Sequence, residues 1–462
     1  MKNLLFFLAI GFISLLEINA QNKFQSPNGG GEVVIPQNTE PCISNEQREL
    51  IHLEIAKNVA QLKAKGKLQK RNTKGTHPLF IWPVSQADGF NYNVVWATTN
   101  YIDHNPAYPD HISDYECGTR SYDTSNGYNH KGFDIISWPF WWKQMELNQA
   151  INIAAADGQI TAKNDGSFDE NCGFNSDTPN YIAVEHSDGS TSWYLHMKNG
   201  GLTTKGVGDY VSEGEFLGVI GSSGSSTLPH LHFEVYDTDG NLIDPSIGPC
   251  NDFNSDTWWL NQKTYYNPQV NAAITHNAPP EFFDCPATEI TNESNQFNPG
   301  DLVTFAVYLK DQESGTSINL KITKPDNTVL YNWDFALTDY YHTSFWYWQY
   351  NLSMEGTWKW ETTYLGETTT HEFNIGVLGV DDNILENTLV YPNPANKKLF
   401  IESEKTIVNV TLRDILGRTA LEIKNHSASI NEIDLISITK GMYFVTLTSE
   451  SNTTKTIKLI KK

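Results

Sequence analysis

Beyond residue 78 the chain reads as short runs in which apolar and polar side chains alternate. Gly, Asp or Asn closes almost every run. YIAVEH (181–186), TSWYLHM (191–197), EFLGVIG (215–221) and HLHFEVY (230–236) are examples, with Asp157-Gly158, Asp188-Gly189 and Asp239-Gly240 as turns between runs. A period of two sends successive side chains to opposite faces of a pleated strand, so the pattern predicts a mainly β protein. Residues 278–377 repeat it in DLVTFAVYL, INLKIT, TWKWETTYL and HEFNIGVL, at a length that suits an immunoglobulin-like β-sandwich. The aromatic run YYHTSFWYWQY (340–350) reads best as alternating sandwich core and edge, ahead of a sugar-stacking surface. Residues 388–462 form a third β-rich unit, expected to be a small sandwich, after a linker at 378–387 containing GVDDN (379–383).

The N-terminal part is different. Lys2, the apolar stretch Leu4 to Leu16 and Ala20 read as a secretory signal peptide over residues 1–20. No later stretch is long and apolar enough to span a membrane once that signal is removed. Residues 21–77 are a leader and helical segment, and a possible pro-region. Residues 22–40, rich in Gly, Pro, Asn and Gln, look like a flexible leader. Residues 44–70 predict a short helix with Leu50, Ile51, Ile55, Val59 and Leu62 on one stripe and Ser44 as N-cap.

Charge narrows the partners. Lys and Arg number 32 against 54 Asp and Glu in 462 residues, a net charge of −22. Nucleic acid and anionic membrane surfaces both select the opposite sign. An exported chain admits disulfides. Among Cys42, Cys117, Cys172, Cys250 and Cys285 the favoured pairs are Cys117–Cys172 and Cys250–Cys285, each flanking one domain or boundary. An odd count leaves one cysteine over, and with no Cys-x-x-Cys the cysteines are not expected to hold metal.

The domain expected at 78–270 concentrates the chemistry. His130-Lys-Gly-Phe-Asp134, His196 at the end of TSWYLHM, and His230-Leu-His232 all sit beside predicted strands. His230 and His232 share a strand face, and so do His130 and Asp134, an even number apart, with Gly132 opening space between them. Each signal alone is commonplace for a surface or core histidine. Together they indicate a metal site with three protein ligands and an open position. The other nine of the thirteen His carry no case for function, including His104 and His111 nearby.

HKGFD, the WYLHM strand and GSSGSSTLPHLHFEV resemble the lysostaphin-type (LytM-like) zinc metallopeptidases over about residues 110–250. The resemblance implies an antiparallel β peptidase domain with one Zn²⁺ held by His130, Asp134 and His232. It implies His196 and His230 as catalytic histidines that pass a proton between the attacking water and the leaving amine. It implies a secreted metalloendopeptidase cutting peptidoglycan cross-links, with Gly-rich host proteins as the alternative substrate. The segment ISWPFWWKQMELNQ (136–149) is longer and more aromatic than the family's usual connection. Trp138, Phe140, Trp141 and Trp142 are either a substrate wall or a packed hydrophobic flap.

LVYPNPANKKLFIE, VTLRDILGRTALE and LISITKGMYFVTLT, ahead of a Lys-rich end, resemble the C-terminal sorting domain of the type IX secretion system of Bacteroidetes. That implies export across the outer membrane, to the surface or the medium, and the secretion machinery as a partner. A different class of function remains beside the enzyme: an exported wall-binding or adhesion protein that uses the peptidase fold as a scaffold. A third possibility is an active site kept latent by residues 22–77.

Overall fold

In the computed structural model the described residues are 26–36, 40–69, 76–285, 287–376, 388–403, 405–414, 417–425, 428–450 and 454–462. The expected signal peptide, the expected linker at 378–387, and Leu416 and His426 lie outside them. The chain divides into two units, one ending at Gly376 and one starting at Val377. The architecture is mainly β, as expected, and the helix Asn45–Ala64 (α1) is its longest helix among the described residues.

The first unit is built around an antiparallel sheet of eight strands. Its path runs Tyr210–Val211, Gly158–Asn164, Tyr181–Glu185, Thr191–Leu195, His230–Tyr236, Phe133–Ser137 and Trp96–Asn100, with Leu242–Ile243 paired to His230–Tyr236. A second sheet joins Val84–Gln86, Ala150–Ile153, Phe216–Ile220 and Met197–Leu202. Strand alternation sorts the large sheet into two buried faces. Phe133, Ile135, Tyr194, Leu231 and Phe233 enter the main core. Tyr181, Ala183, Trp193, Leu195 and Tyr236 enter a smaller cluster on the other face, with Ile51 and Ile55 of α1 and with Cys42 and Ile43. α1 is therefore the cover of that second face.

α1 starts where the sequence predicts. Ser44 caps it, accepting from Gln47 N–H while the Gln47 side chain accepts from Ser44 N–H. It ends earlier than expected, at Ala64, with Lys65 and Gly66 closing the last turn. Ile51, Ile55 and Leu62 are buried, whereas Leu50 of the expected stripe is 65% exposed, because the face that meets the sheet is narrow. No helix among the described residues is long and apolar enough to cross a membrane.

Two expectations about boundaries change. Residues 29–32, inside the supposed flexible leader, form the strand Gly29–Glu32, which pairs with Tyr341–Asn351 of the sandwich. Gly30 permits this with φ +126, where a Cβ would strike Phe345 O. The sandwich also begins before residue 278, since Gln269–His276 pairs with Leu302–Gln312 in the same sheet. Its second sheet contains Gln296–Phe297, Glu367–Ile375, Gly356–Tyr364, Thr316–Thr323 and Val329–Leu337. The 340–350 aromatics fill both faces of one strand. Trp348 lies in the sandwich core, while Phe345 and Tyr347 pack on the peptidase-side core.

The second unit pairs Leu389–Tyr391, Lys398–Glu402 and Glu432–Asp434 in one sheet. Thr419–Lys424, Ile407–Asp414, Gly441–Ser449 and Thr454–Lys461 form the other. Leu399, Ile433, Val410, Leu412, Val445 and Leu459 are among the side chains that fill its core.

Candidate metal centre

Three neighbouring strands bring the centre together by register. Asn100 lies opposite Asp134, and Asp134 lies opposite His232. Directly opposed residues of an antiparallel pair share a face, so the three form a row on the side that α1 covers. Asn100 Nδ2 donates to Asp134 Oδ2 at 3.0 Å. The other carboxylate oxygen, Oδ1, lies 2.8 Å from His232 Nδ1, 3.2 Å from His130 Nε2 and 3.6 Å from His230 Nε2.

His130 arrives differently from the expectation. The strand begins at Phe133, so His130 belongs to the preceding loop and does not share a strand face with Asp134. Its backbone is held instead, donating to Tyr122 O and accepting from Asp103 N–H. Gly132 is needed for a closer reason than open space. A Cβ there would sit 2.6 Å from His232 Nε2.

The protons on each ring follow from its partners. His130 Nδ1 faces Tyr101 O at 2.7 Å, and a carbonyl only accepts, so Nδ1 carries the hydrogen. His232 Nε2 faces Glu234 Oε1 at 2.8 Å and donates there. In the neutral rings His130 Nε2 and His232 Nδ1 are then bare, 3.2 Å apart, beside a carboxylate. Converging lone pairs require a shared positive charge. Without a metal that charge is protons. Burial opposes the imidazolium of His130, but Asp134 outweighs it and lifts the ring to about 9. Burial likewise opposes the Asp134 carboxylate, and the His130 charge overrides it, holding Asp134 well below its usual range. A divalent cation satisfies the same donors without protons, and imidazole plus carboxylate is an ordinary zinc set. The residues present therefore fit a metal.

His196 and His230 stand beside this cluster with rings 4.6 Å apart. His196 has φ 63 where the chain leaves Thr191–Leu195 for Met197–Leu202 in the second sheet, and that kink turns its ring inward. His196 Nδ1 donates to Ser223 O at 2.7 Å and His230 Nδ1 to Leu228 O at 2.8 Å. Both Nε2 atoms are buried with no hydrogen-bond partner among the described residues. Burial, then the neighbouring His196, pushes His230 down to about 4, so it is neutral at pH 7.

Comparison with known proteins bears on this same stretch. Residues 146–245 match the model of peptidase family M23, and residues 389–462 match that of the secretion system C-terminal sorting domain. The chain carries an M23 peptidase domain. An uncharacterized metalloprotease of Buchnera aphidicola is 31% identical over 118 residues, 25% of this chain and 29% of its own. Lysostaphin of Staphylococcus simulans is 43% identical over 56 residues, 12% of this chain and 11% of its own. Glycyl-glycine endopeptidase ALE-1 of Staphylococcus capitis is 32% identical over 110 residues, 24% of this chain and 25% of its own. The chain thus spans less than a third of the length of these relatives.

The M23 match contains His196, His230 and His232 and begins after His130 and Asp134. Between them lies the aromatic insertion, which the structure places in packing. Trp138 and Phe140 are buried against Phe282 and Tyr308, and Trp138 Nε1 donates to Leu309 O of the sandwich. The flap reading describes these residues, not the substrate wall.

The cysteines depart from the expectation twice. The bonds are Cys117–Cys250 and Cys172–Cys285, not Cys117–Cys172 and Cys250–Cys285, because the fold brings distant loops together. Cys42 is free and buried, and its Sγ lies 3.4 Å from His232 Nδ1 and 3.3 Å from Tyr128 Oη. One ligand atom each from Cys42, His130, Asp134 and His232 fits within 4.8 Å. The expectation that no cysteine stands at the metal site is therefore overturned. Sequence flagged an odd thiol but held nothing to link it to residues 88 and more positions away.

Two supporting residues also escaped sequence reading. Asn100 gave no signal. Glu234 did, since His230, His232 and Glu234 continue one strand face at a spacing of two. Glu234 orients His232, and it accepts Arg48 Nη2 at 2.6 Å and Tyr236 Oη at 2.5 Å. Burial opposes its charge, and Arg48 overrides that, holding Glu234 well below the usual carboxylate range.

Proposed function

We propose that the M23 domain is a zinc metalloendopeptidase that hydrolyses peptide bonds of peptidoglycan. The observation that carries the reading is the convergence of bare nitrogens from His130 and His232 on the Asp134 carboxylate, with two unpartnered Nε2 atoms beside them. His130 Nε2, Asp134 Oδ1 and His232 Nδ1 would hold Zn²⁺. The metal would supply a Lewis acid for the scissile carbonyl and activation of water near neutral pH.

The chain's own residues supply the remainder. Glu234 fixes the His232 tautomer so that Nδ1 faces the centre. Asn100 holds the second oxygen of Asp134 and so orients the first. The carbonyls of Ser223 and Leu228 keep a hydrogen on Nδ1 of His196 and His230. Each Nε2 is thereby left as a proton acceptor, able to take a proton from water and return it to the leaving amine. The two rings are equivalent in this respect, and one of them serves as the proton carrier.

Two relatives support the substrate class by name: the glycyl-glycine endopeptidase and the peptidoglycan DD-endopeptidase ShyC of Vibrio cholerae, 32% identical over 108 residues. Gly-rich polypeptides are the second substrate class. The sorting domain supports secretion to the surface or the medium through the type IX machinery. The deciding experiment incubates the full chain with purified peptidoglycan and an oligoglycine peptide panel, with and without a chelator, and identifies products by mass spectrometry. Cleavage that stops with chelator and returns with Zn²⁺ is expected. Cleavage unaffected by chelator, or none from any form of the chain, would sink the reading.

A further inference from the structure

We infer that Cys42 is a fourth ligand of the same centre and that residues 40–69 are a built-in plug, so the enzyme is made in a closed, latent form. The inference rests on the metallopeptidase reading and adds its regulation. A catalytic zinc site keeps one position open, whereas four protein ligands close it. The sulfur of Cys42 stands among the three candidate ligands, within 4.8 Å of all of them, and is itself buried. A thiolate there leaves no position for water or for a scissile carbonyl. The other four cysteines are spent in two disulfides, so this thiol is the one left reduced.

A second observation is independent of the sulfur. His196 and His230, the two residues assigned to proton handling, are buried, with both Nε2 atoms unpartnered among the described residues. An exposed cleft would offer those atoms water. The chamber is instead roofed by Pro41, Cys42 and Ile43, where Pro41 O accepts from Ser225 Oγ at 2.8 Å and Ile43 is fully buried.

The roof is tied down on both sides. Toward the C-terminus, α1 lays Ile51 and Ile55 on Tyr181, Ala183, Trp193 and Tyr236. Arg48 of α1 reaches Glu234, the carboxylate that orients His232, so the plug and the metal ligand share one latch. Toward the N-terminus, Gly29–Glu32 is hydrogen-bonded into the sandwich sheet. The sheet face beneath α1 runs directly from the centre through Leu195 and Trp193, so the helix also covers the sheet surface next to the centre. Opening then means withdrawal of residues 40–69. The sulfur loses its proton when it binds the metal and regains one from solvent when it leaves, so no oxidant or reductant is required.

The test uses the full chain loaded with Co²⁺ in place of Zn²⁺, as wild type, Cys42→Ala and Cys42→Ser. Wild type is expected to show a sulfur-to-cobalt charge-transfer band, and both variants to lack it while still holding about one metal per chain. In Zn²⁺-loaded wild type the single thiol is expected to resist Ellman's reagent and to become at least about tenfold faster on chelation. Hydrolysis by Cys42→Ala is expected to rise about tenfold or more over wild type, as for any state freed from a dominant closed form. An unchanged cobalt spectrum in the variants, or a thiol equally reactive with and without metal, overturns the plug and leaves the metallopeptidase reading standing. If no form of the chain binds metal, both fall together. The thiol measurement needs no variant, so poor folding of a substituted chain does not blunt it.

Discussion

Two sets of buried histidines sit in the first unit, and their surroundings set them apart. In the sandwich, His276 uses both nitrogens, Nδ1 on Thr291 O at 2.7 Å and Nε2 on Tyr308 Oη at 3.0 Å. His371 Nε2 meets Thr275 Oγ1 at 2.9 Å. Burial pushes them down to about 3 and about 4, so they are neutral packing residues. At the candidate metal centre, His130 and His232 each spend one nitrogen on a protein oxygen and aim the other at a carboxylate. Burial does not separate the two places, since His276 is as fully buried as His130 and His232. What separates a site from a core is whether the nitrogens left over converge on one another.

That distinction is broken most severely at Asp134. Asp134→Ala or His130→Ala is expected to abolish metal retention and to cost hydrolysis on the order of a thousandfold or more, the several kcal/mol a Lewis acid contributes. Metal content by mass spectrometry and peptide cleavage together check it. Retention of full metal by Asp134→Ala would remove that residue from the ligand set. Next comes the pair beside the centre. His196→Ala and His230→Ala are each expected to keep the metal and lose about 10²–10⁴ in rate, as for a proton carrier. Loss of metal from either variant would move that residue into the ligand set.

Glu234→Gln is a gentler probe, since it keeps shape but weakens the hold on His232. A drop of about 10–100-fold in metal affinity is expected from competition with a chromophoric chelator. No change would mean that the Glu234 charge serves Arg48 alone. The smallest effect lies in the sandwich. His276 has a folded-state value below the ordinary imidazole value of about 6.5. As pH falls, the unfolded chain takes the proton first. Its contribution is therefore complete above about pH 6.5 and declines toward pH 3, by at most about 1.4 kcal/mol per pH unit. His276→Asn is expected to flatten the acid slope of urea stability by that amount without changing metal content. An unchanged slope would show that His276 is protonated in the folded protein.

The plan of the chain was readable where a local rule sufficed. Period-two patterning marked HLHFEVY, which forms a strand over the same residues, His230–Tyr236. Ser44 marked the start of α1. The pairing of His230 with His232 on one face needed only strand alternation. Local rules failed where the chain doubles back. Gly29–Glu32 was read as leader because a Gly-rich stretch has no pattern of its own, and it becomes a strand only when Tyr341–Asn351 lends it hydrogen bonds. His130 was read as a strand residue because spacing of four fits extended chain, whereas Tyr122 and Asp103 hold it in a loop.

Sequence by itself determined the mainly β character of this protein, its acidic charge, and the residue types from which the candidate metal centre is assembled. These depend on periodicity and composition, which any short window of chain displays. Only the tertiary structure decided that Asp134 lies opposite His232, that Cys117 finds Cys250, and that Cys42 stands among the candidate ligands. Each of these is a contact between segments far apart in the chain. Its partner is selected by strand register and by the docking of α1, and neither leaves a trace in the residues nearby.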